Sequence, residues 1–172
     1  NETNKLKTVI LGIANSFGTI PNSDSCIDPK TKFFLEKGQY PLEDKCIIEI
    51  EKFCNILIKN GVSVIRPKPI KNLNQIFTRD IAFVIDDTLF EANTIYERSE
   101  EKNGIQNILN TKRGLNKIKI PKGIRVEGGD VIVNNNLVFI GYCNKRDEKL
   151  KVSRTNKKAI DFFKEVFPNK DV

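Results

Sequence analysis

Apolar positions along this chain come in two rhythms: short runs of strand length, and longer stretches with an apolar residue every three or four positions. Residues 8–14, Thr-Val-Ile-Leu-Gly-Ile-Ala, form a near-continuous apolar run and predict a strand covered on both faces. Residues 15–40 are rich in Ser, Asn, Asp, Gly and Pro. They predict a long loop, of the kind that often acts as a lid, with a short helical turn at 30–37. Residues 42–60 carry Ile47, Ile50, Cys54, Leu57 and Ile58 at helical spacing, with Pro41 at the start and Gly61 as a stop. Val62 to Ile65 then predicts a strand that ends before Pro67. Strand, loop, helix and strand in this order form an α/β unit.

The second half repeats a different device. Phe77-Thr78-Arg79-Asp80 leads into an apolar strand at 81–85, a turn at Asp86-Asp87 and a second strand at 88–90. A helix over 97–112 follows, with Ile105, Ile108 and Leu109 on one side and Gly104 as a weak point. A short strand at 118–120 comes next. Glu127-Gly128-Gly129-Asp130 then leads into a hairpin over 131–140, whose Asn134-Asn135-Asn136 turn suits positive φ. A charged loop spans 141–152, and a closing helix over 156–167 turns Ala159, Ile160, Phe163 and Phe167 inward. Aligning the last acid of each mouth places Asp80 over Asp130, a repeat of 50 residues (130 − 80).

That repeat changes the picture, because a carboxylate buried at the start of a strand costs several kcal/mol or shifts its pKa unless it has a partner. Asp80 and Glu127, set around a common axis, would line a polar pocket. Such a pocket favours a cation with several N–H donors. The bland alternatives are an ion pair of Asp80 with Arg79, or a cap at the strand start. Gly128-Gly129 are expected to supply a turn with positive φ that aims Glu127 inward.

Composition narrows the classes. At 172 residues the chain is long enough for one domain with a core. With 39% hydrophobic residues it is too apolar for global disorder. No apolar run approaches the roughly 20 residues of a membrane span, and the first residues lack a signal-peptide apolar region, so a cytoplasmic protein is expected. The net charge of +7 is spread over interspersed Lys, Asp and Glu, which fits a solvated surface better than a nucleic-acid stripe. Cys26, Cys46, Cys54 and Cys143 form no C-x-x-C pair and there is no histidine, so no mixed zinc site is expected.

The two acid-mouthed hairpins, together with Asn74 and the segment Ser153-Arg154-Thr155-Asn156, resemble the guanidine-modifying (pentein) superfamily. It contains arginine deiminases, dimethylarginine dimethylaminohydrolases and amidinotransferases. The match runs from about Pro41 to the end. The resemblance implies an α/β propeller of ββαβ modules around a pseudo-fivefold axis. About three of five modules fall in this chain, read as a single domain over 1–172 that forms the N-terminal portion of the enzyme. It further implies a cysteine thiolate attacking the guanidinium carbon, a covalent amidino-thio intermediate and a histidine proton shuttle. The implied partner is a small guanidino substrate, arginine or a derivative, with no metal and no organic cofactor. Water completes the reaction in the hydrolases, the favoured class here, and an amine does so in the transferases.

Carried over by the same resemblance, Asp80 pairs with guanidinium nitrogens, and Glu127 contacts the substrate and orients the histidine. Arg154 meets the substrate's α-carboxylate, with Arg146 as its rival, and Arg98 falls near another family arginine. Asn74 and Phe77 are minor substrate contacts. Asp130 is left open between backbone amides and substrate. The chain departs from the family in having no histidine, and none of its cysteines matches the nucleophile, so on its own it is expected to be inactive. Two other readings stand beside the enzyme. One is a non-catalytic pentein-fold binding module associated with RNA or ribosomes, made unlikely by the retained acids. The other is an inactive remnant whose open sheet edges are covered by a homo-oligomer.

Overall fold

The computed structural model describes residues 2–111, 116–143 and 152–172. Strand β1 (Thr8–Ile10) pairs in parallel with β2 (Ser63–Ile65), Val9 opposite Val64. The predicted strand over 8–14 is therefore short: beyond Ile10 only Ile13 bridges, to Gln75. Between the two strands lie α1 (Pro29–Glu36) and α2 (Glu43–Lys59). Helix α1 is capped by Asp28, whose carboxylate accepts from the Thr31 N–H at 2.6 Å, with Pro29 in the first turn. The predicted loop over 15–40 thus holds a true helix. Helix α2 has Glu43 and Asp44 at its positive end and Lys59 at its negative end, and Gly61, at φ +76°, stops it. Its inward face is narrower than predicted. Cys54 is buried, whereas Ile58 is 55% exposed.

The next unit is a ββαβ module. A single turn, α3 (Thr78–Ile81), precedes β3 (Ala82–Ile85), which pairs antiparallel with β4 (Thr88–Glu91). Asp86 takes φ +54° in the two-residue turn, as expected of a turn residue. The predicted helix over 97–112 is divided into a 3-10 segment (Tyr96–Gly104) and α4 (Gln106–Thr111); Lys112 lies outside the described residues. The break falls where Gly104 meets the buried Gln75 amide, since a Cβ at Gly104 would stand 2.1 Å from Gln75 Nε2. Strand β5 (Asn116–Lys119) then pairs in parallel with β4.

The same arrangement begins again. Strand β6 (Val131–Asn134) and β7 (Leu137–Ile140) form the second hairpin, α5 (Lys158–Val166) follows, and Asp171 bridges Leu137 in parallel as Asn116 pairs with Thr88. With β1–α2–β2 as a third, partial copy, the chain holds three successive modules of an α/β propeller. The positive-φ turn residues Asp86 and Asn135 fix the repeat at 49 residues (135 − 86), one fewer than aligning the acids suggests. Asp80 therefore corresponds to Gly129 and not to Asp130, so the acids come from non-equivalent positions.

One core joins the two modules. Phe83, Phe90, Val126, Val131, Val138 and Phe163 are buried together. Phe83 stacks on Phe90 at 5.3 Å, and Phe163 meets Phe90 edge-on at 5.3 Å. Such a core sets both hairpin mouths side by side. On the outward face of the second hairpin, the cross-strand pair Ile132 and Phe139 is exposed.

Candidate functional site

Thr78 opens α3 and anchors it, its hydroxyl donating to the Ile10 carbonyl at 2.7 Å. The turn brings Asp80 to the mouth of the first hairpin. Glu127, at the mouth of the second, is 2% exposed. Between them lies the guanidinium of Arg98. Its Nη1 donates to Asp80 Oδ2 at 2.5 Å and to Glu127 Oε2 at 3.1 Å. Its Nε and Nη2 form a fork onto the two oxygens of Glu101, at 2.7 and 2.6 Å. Arg154 Nε reaches the same Glu127 oxygen at 2.7 Å. The other oxygen, Glu127 Oε1, is buried and has no hydrogen-bond partner among the described residues.

Electrostatics in this cluster is a contest between burial and pairing. Burial pushes the Glu127 carboxyl above its ordinary value, against the lowering pull of Arg98 and Arg154, and nearby Asp80 adds to the rise. Glu101 is likewise raised by burial, against its Arg98 fork. Burial alone would lower the Arg98 pKa, but its bonds and charges to Glu101, Asp80 and Glu127 outweigh that and raise it. Arg98 is charged at every working pH.

The mouth of the second hairpin is held from behind. Thr155, 1% exposed, donates to Asp130 Oδ2 at 2.6 Å and accepts the Glu127 N–H at 3.2 Å. Ser153 adds a second hydroxyl to Asp130 at 3.2 Å. Arg79 tethers the carbonyls of Gly128 and Val131 at 3.0 and 2.6 Å, and pairs with Glu2 rather than with Asp80. Neither Gly128 nor Gly129 has positive φ, contrary to the expected turn. Glycine is needed there for space. A Cβ on Gly128 would lie 2.1 Å from the Arg79 carbonyl oxygen, and one on Gly129 would lie 2.4 Å from Asp80 Oδ1.

No protein-family model matches the chain, and no curated protein matches it. Solved structures do. SxtG, an amidinotransferase from Microseira wollei in the saxitoxin biosynthetic pathway, superposes with a TM-score of 0.71 at 17% identity, covering 100% of this chain and 59% of that one. DDAH from Pseudomonas aeruginosa, complexed with citrulline, has a TM-score of 0.68 at 15% identity, over 98% of this chain and 60% of its own. The N-terminal domain of ArgZ, an arginine dihydrolase from the ornithine–ammonia cycle in cyanobacteria, has a TM-score of 0.69 at 13% identity, over 98% of this chain and 57% of its own. The chain has the pentein fold. It spans less than two thirds of the length of these neighbours.

On this pentein scaffold the predicted residues divide into three groups. Asp80, Glu127, Arg98 and Arg154 are brought into one bonded cluster. Among the described residues Asp130 binds hydroxyls, neither backbone amides nor the cluster itself, and acts behind Glu127 through Thr155. Asn74 and Phe77 make no bond to it among the described residues: the Asn74 side-chain oxygen accepts from the Ile76 N–H, and Phe77 is 57% exposed one turn before Asp80. Arg146 lies outside the described residues. Sequence reasoning missed Glu101, Thr155 and the tether Arg79. Glu101 carried a signal, an acid three positions after Arg98. The expected open pocket between the acids is filled by Arg98. A cleft of about 640 Å³ does open nearby, lined by 93–97, Arg125, Asn156 and Lys158, but neither acid lines it. Among the described residues no helix is long and apolar enough to cross a membrane.

Proposed function

We propose that this chain is the guanidinium-recognising portion of a pentein enzyme that modifies guanidino compounds. Arginine or a near derivative is the substrate class, and hydrolysis is favoured over transfer. The supporting observation is that Asp80 and Glu127 accept hydrogen bonds from one guanidinium nitrogen. Two carboxylates accepting N–H bonds along the edge of a planar cation hold that plane fixed, which leaves the faces of the central carbon open to attack. The neighbouring folds support the same chemistry, since an amidinotransferase, DDAH and an arginine dihydrolase are among them.

In this reading a cysteine thiolate adds to the guanidinium carbon and an amine leaves, giving the amidino-thio intermediate that water resolves. The 172 residues contain no histidine, and none of the four cysteines bonds to the acids. Nucleophile and proton shuttle are therefore assigned to residues outside this chain. The unpartnered Glu127 Oε1 is the atom that would accept a donor from substrate or shuttle. Calorimetric titration of the chain with arginine and agmatine tests the site. Binding that is lost in Asp80→Ala supports it; absent binding, or binding unchanged in that variant, refutes it.

The runner-up is a non-catalytic module. It is favoured by the +7 charge and by an acid pair already occupied by the chain's own Arg98. It requires RNA association that weakens steeply with salt.

A further inference from the structure

We propose that Arg98 is a resident competitor for the acid pair, so that a guanidino ligand binds by taking over the place of Arg98 Nη1. This rests on the reading of Asp80 and Glu127 as guanidinium acceptors. The guanidinium of Arg98 is divided between two tasks. Nε and Nη2 are committed to Glu101, three positions away on the same 3-10 segment, in a local fork. Only Nη1 reaches across to the two hairpin mouths. Because the guanidinium is rigid, a swing that carries the Glu101 side chain with it withdraws Nη1 and frees both acids while the fork is kept.

Displacement frees the Asp80 oxygen that shares Arg98 Nη1 with Glu127. The Oδ1 of Asp80 lies against the Gly129 backbone, close enough that a Cβ there would stand at 2.4 Å, and its Oδ2 is held by Arg98. Exchange is also favoured by what Arg98 leaves undone. Three carboxylates, Asp80, Glu101 and Glu127, face two guanidinium groups, those of Arg98 and Arg154, so the cluster keeps one negative charge. Glu127 Oε1, on a residue 2% exposed, has no donor among the described residues. A ligand guanidinium supplies the missing charge and has N–H groups to spare for that oxygen. Glu101 then becomes the residue that decides how readily the site opens.

Wild-type affinity is reduced by the fraction of molecules in which Nη1 is withdrawn; if that fraction is about one tenth, the loss is about tenfold. The test is titration of wild type, Arg98→Ala and Arg98→Lys with methylguanidinium chloride, which has no carboxylate, against tetramethylammonium chloride at equal ionic strength. Melting temperature is read in parallel. The expected result is that both variants bind methylguanidinium more tightly than wild type, Arg98→Ala by about tenfold or more. Methylguanidinium should raise the melting temperature of Arg98→Ala specifically, and a second change, Asp80→Asn, should abolish the gain. Arg98→Lys keeps the positive charge but lacks the fork, so it carries the test if the alanine variant folds only with the ligand present. Variants that bind methylguanidinium no more tightly than a wild type that does bind arginine would overturn the competitor and leave the proposed function standing. If neither wild type nor variants bind any guanidino probe, the proposed function falls as well.

Discussion

Asp80 and Glu127, on different hairpin mouths, accept hydrogen bonds from the same nitrogen atom, Arg98 Nη1, at 2.5 and 3.1 Å. A planar cation is thus held where the two modules meet, and it belongs to the protein itself. The convergence follows from the shared core: Phe83 and Phe90 of the first hairpin pack with Val131, Val138 and Phe163 of the second module.

Arg98 should be a stability residue as well as a site residue. Its removal leaves three largely buried carboxylates short of their main counter-charge, and breaking a buried pair from one side costs about 3–5 kcal/mol. Arg98→Ala should lose that much in chemical denaturation without ligand. A loss near zero would mean the acids are solvated enough to stand alone.

The paired glycines should differ in what they protect. Gly128→Ala drives a Cβ against the Arg79 carbonyl and the Phe83 ring, neither of which yields easily, and should cost about 1–3 kcal/mol. Gly129→Ala meets only the far end of the Asp80 side chain. It should cost less stability but displace that carboxylate, weakening guanidino binding more than Gly128→Ala does. Gly141→Ala, whose nearest neighbour would lie at 3.7 Å, is the near-neutral control.

Much of this was legible in the sequence, for physical reasons that also mark its limits. The hairpins announced themselves because their strands are short apolar runs and their two-residue turns hold Asp86 and Asn135 at positive φ. The acids stood out because carboxylates are costly at the start of buried strands. Their partner was harder to read. Arg98 reaches the acids from a 3-10 segment that ends where Gly104 meets the Gln75 amide, and that close approach is a tertiary event. The need for Gly128 and Gly129 was misread for the same reason: composition suggests a turn, whereas the cause is another module pressed against them, the Arg79 backbone on Gly128 and the Asp80 side chain on Gly129. Thr155 stood inside the 153–156 segment that carries the resemblance, but its task, joining Glu127 to Asp130 across the chain, had no local signal.

Thr155→Val tests that joint. The shape is kept, but the Glu127 N–H and Asp130 each lose a buried partner, which costs about 1–3 kcal/mol. Guanidino binding should fall with it, because Glu127 is no longer held from behind. Thr155→Ser keeps the hydroxyl and should restore binding. A serine variant as poor as valine would show that the methyl group, and not the hydroxyl, is what counts.

The pH dependence of stability should reveal which force prevails at Glu127. Burial raises the folded pKa of Glu127 and of Glu101 above the ordinary glutamate value of 4.5, despite Arg98 and Arg154. Between that value and the raised folded values, the native chain holds protons that the unfolded chain has released. Stability contributed by these groups is then present below the ordinary value and falls as pH rises through the window. Glu127→Gln deletes one of the two contributions. The difference in melting temperature, variant minus wild type, should therefore move in the variant's favour as pH climbs from about 4 to about 7. Movement in the opposite direction would mean that the two guanidinium groups outweigh burial and hold Glu127 ionised. In that case the orphaned Oε1 would be a full acceptor throughout the range, and ligand binding should show no acid limb.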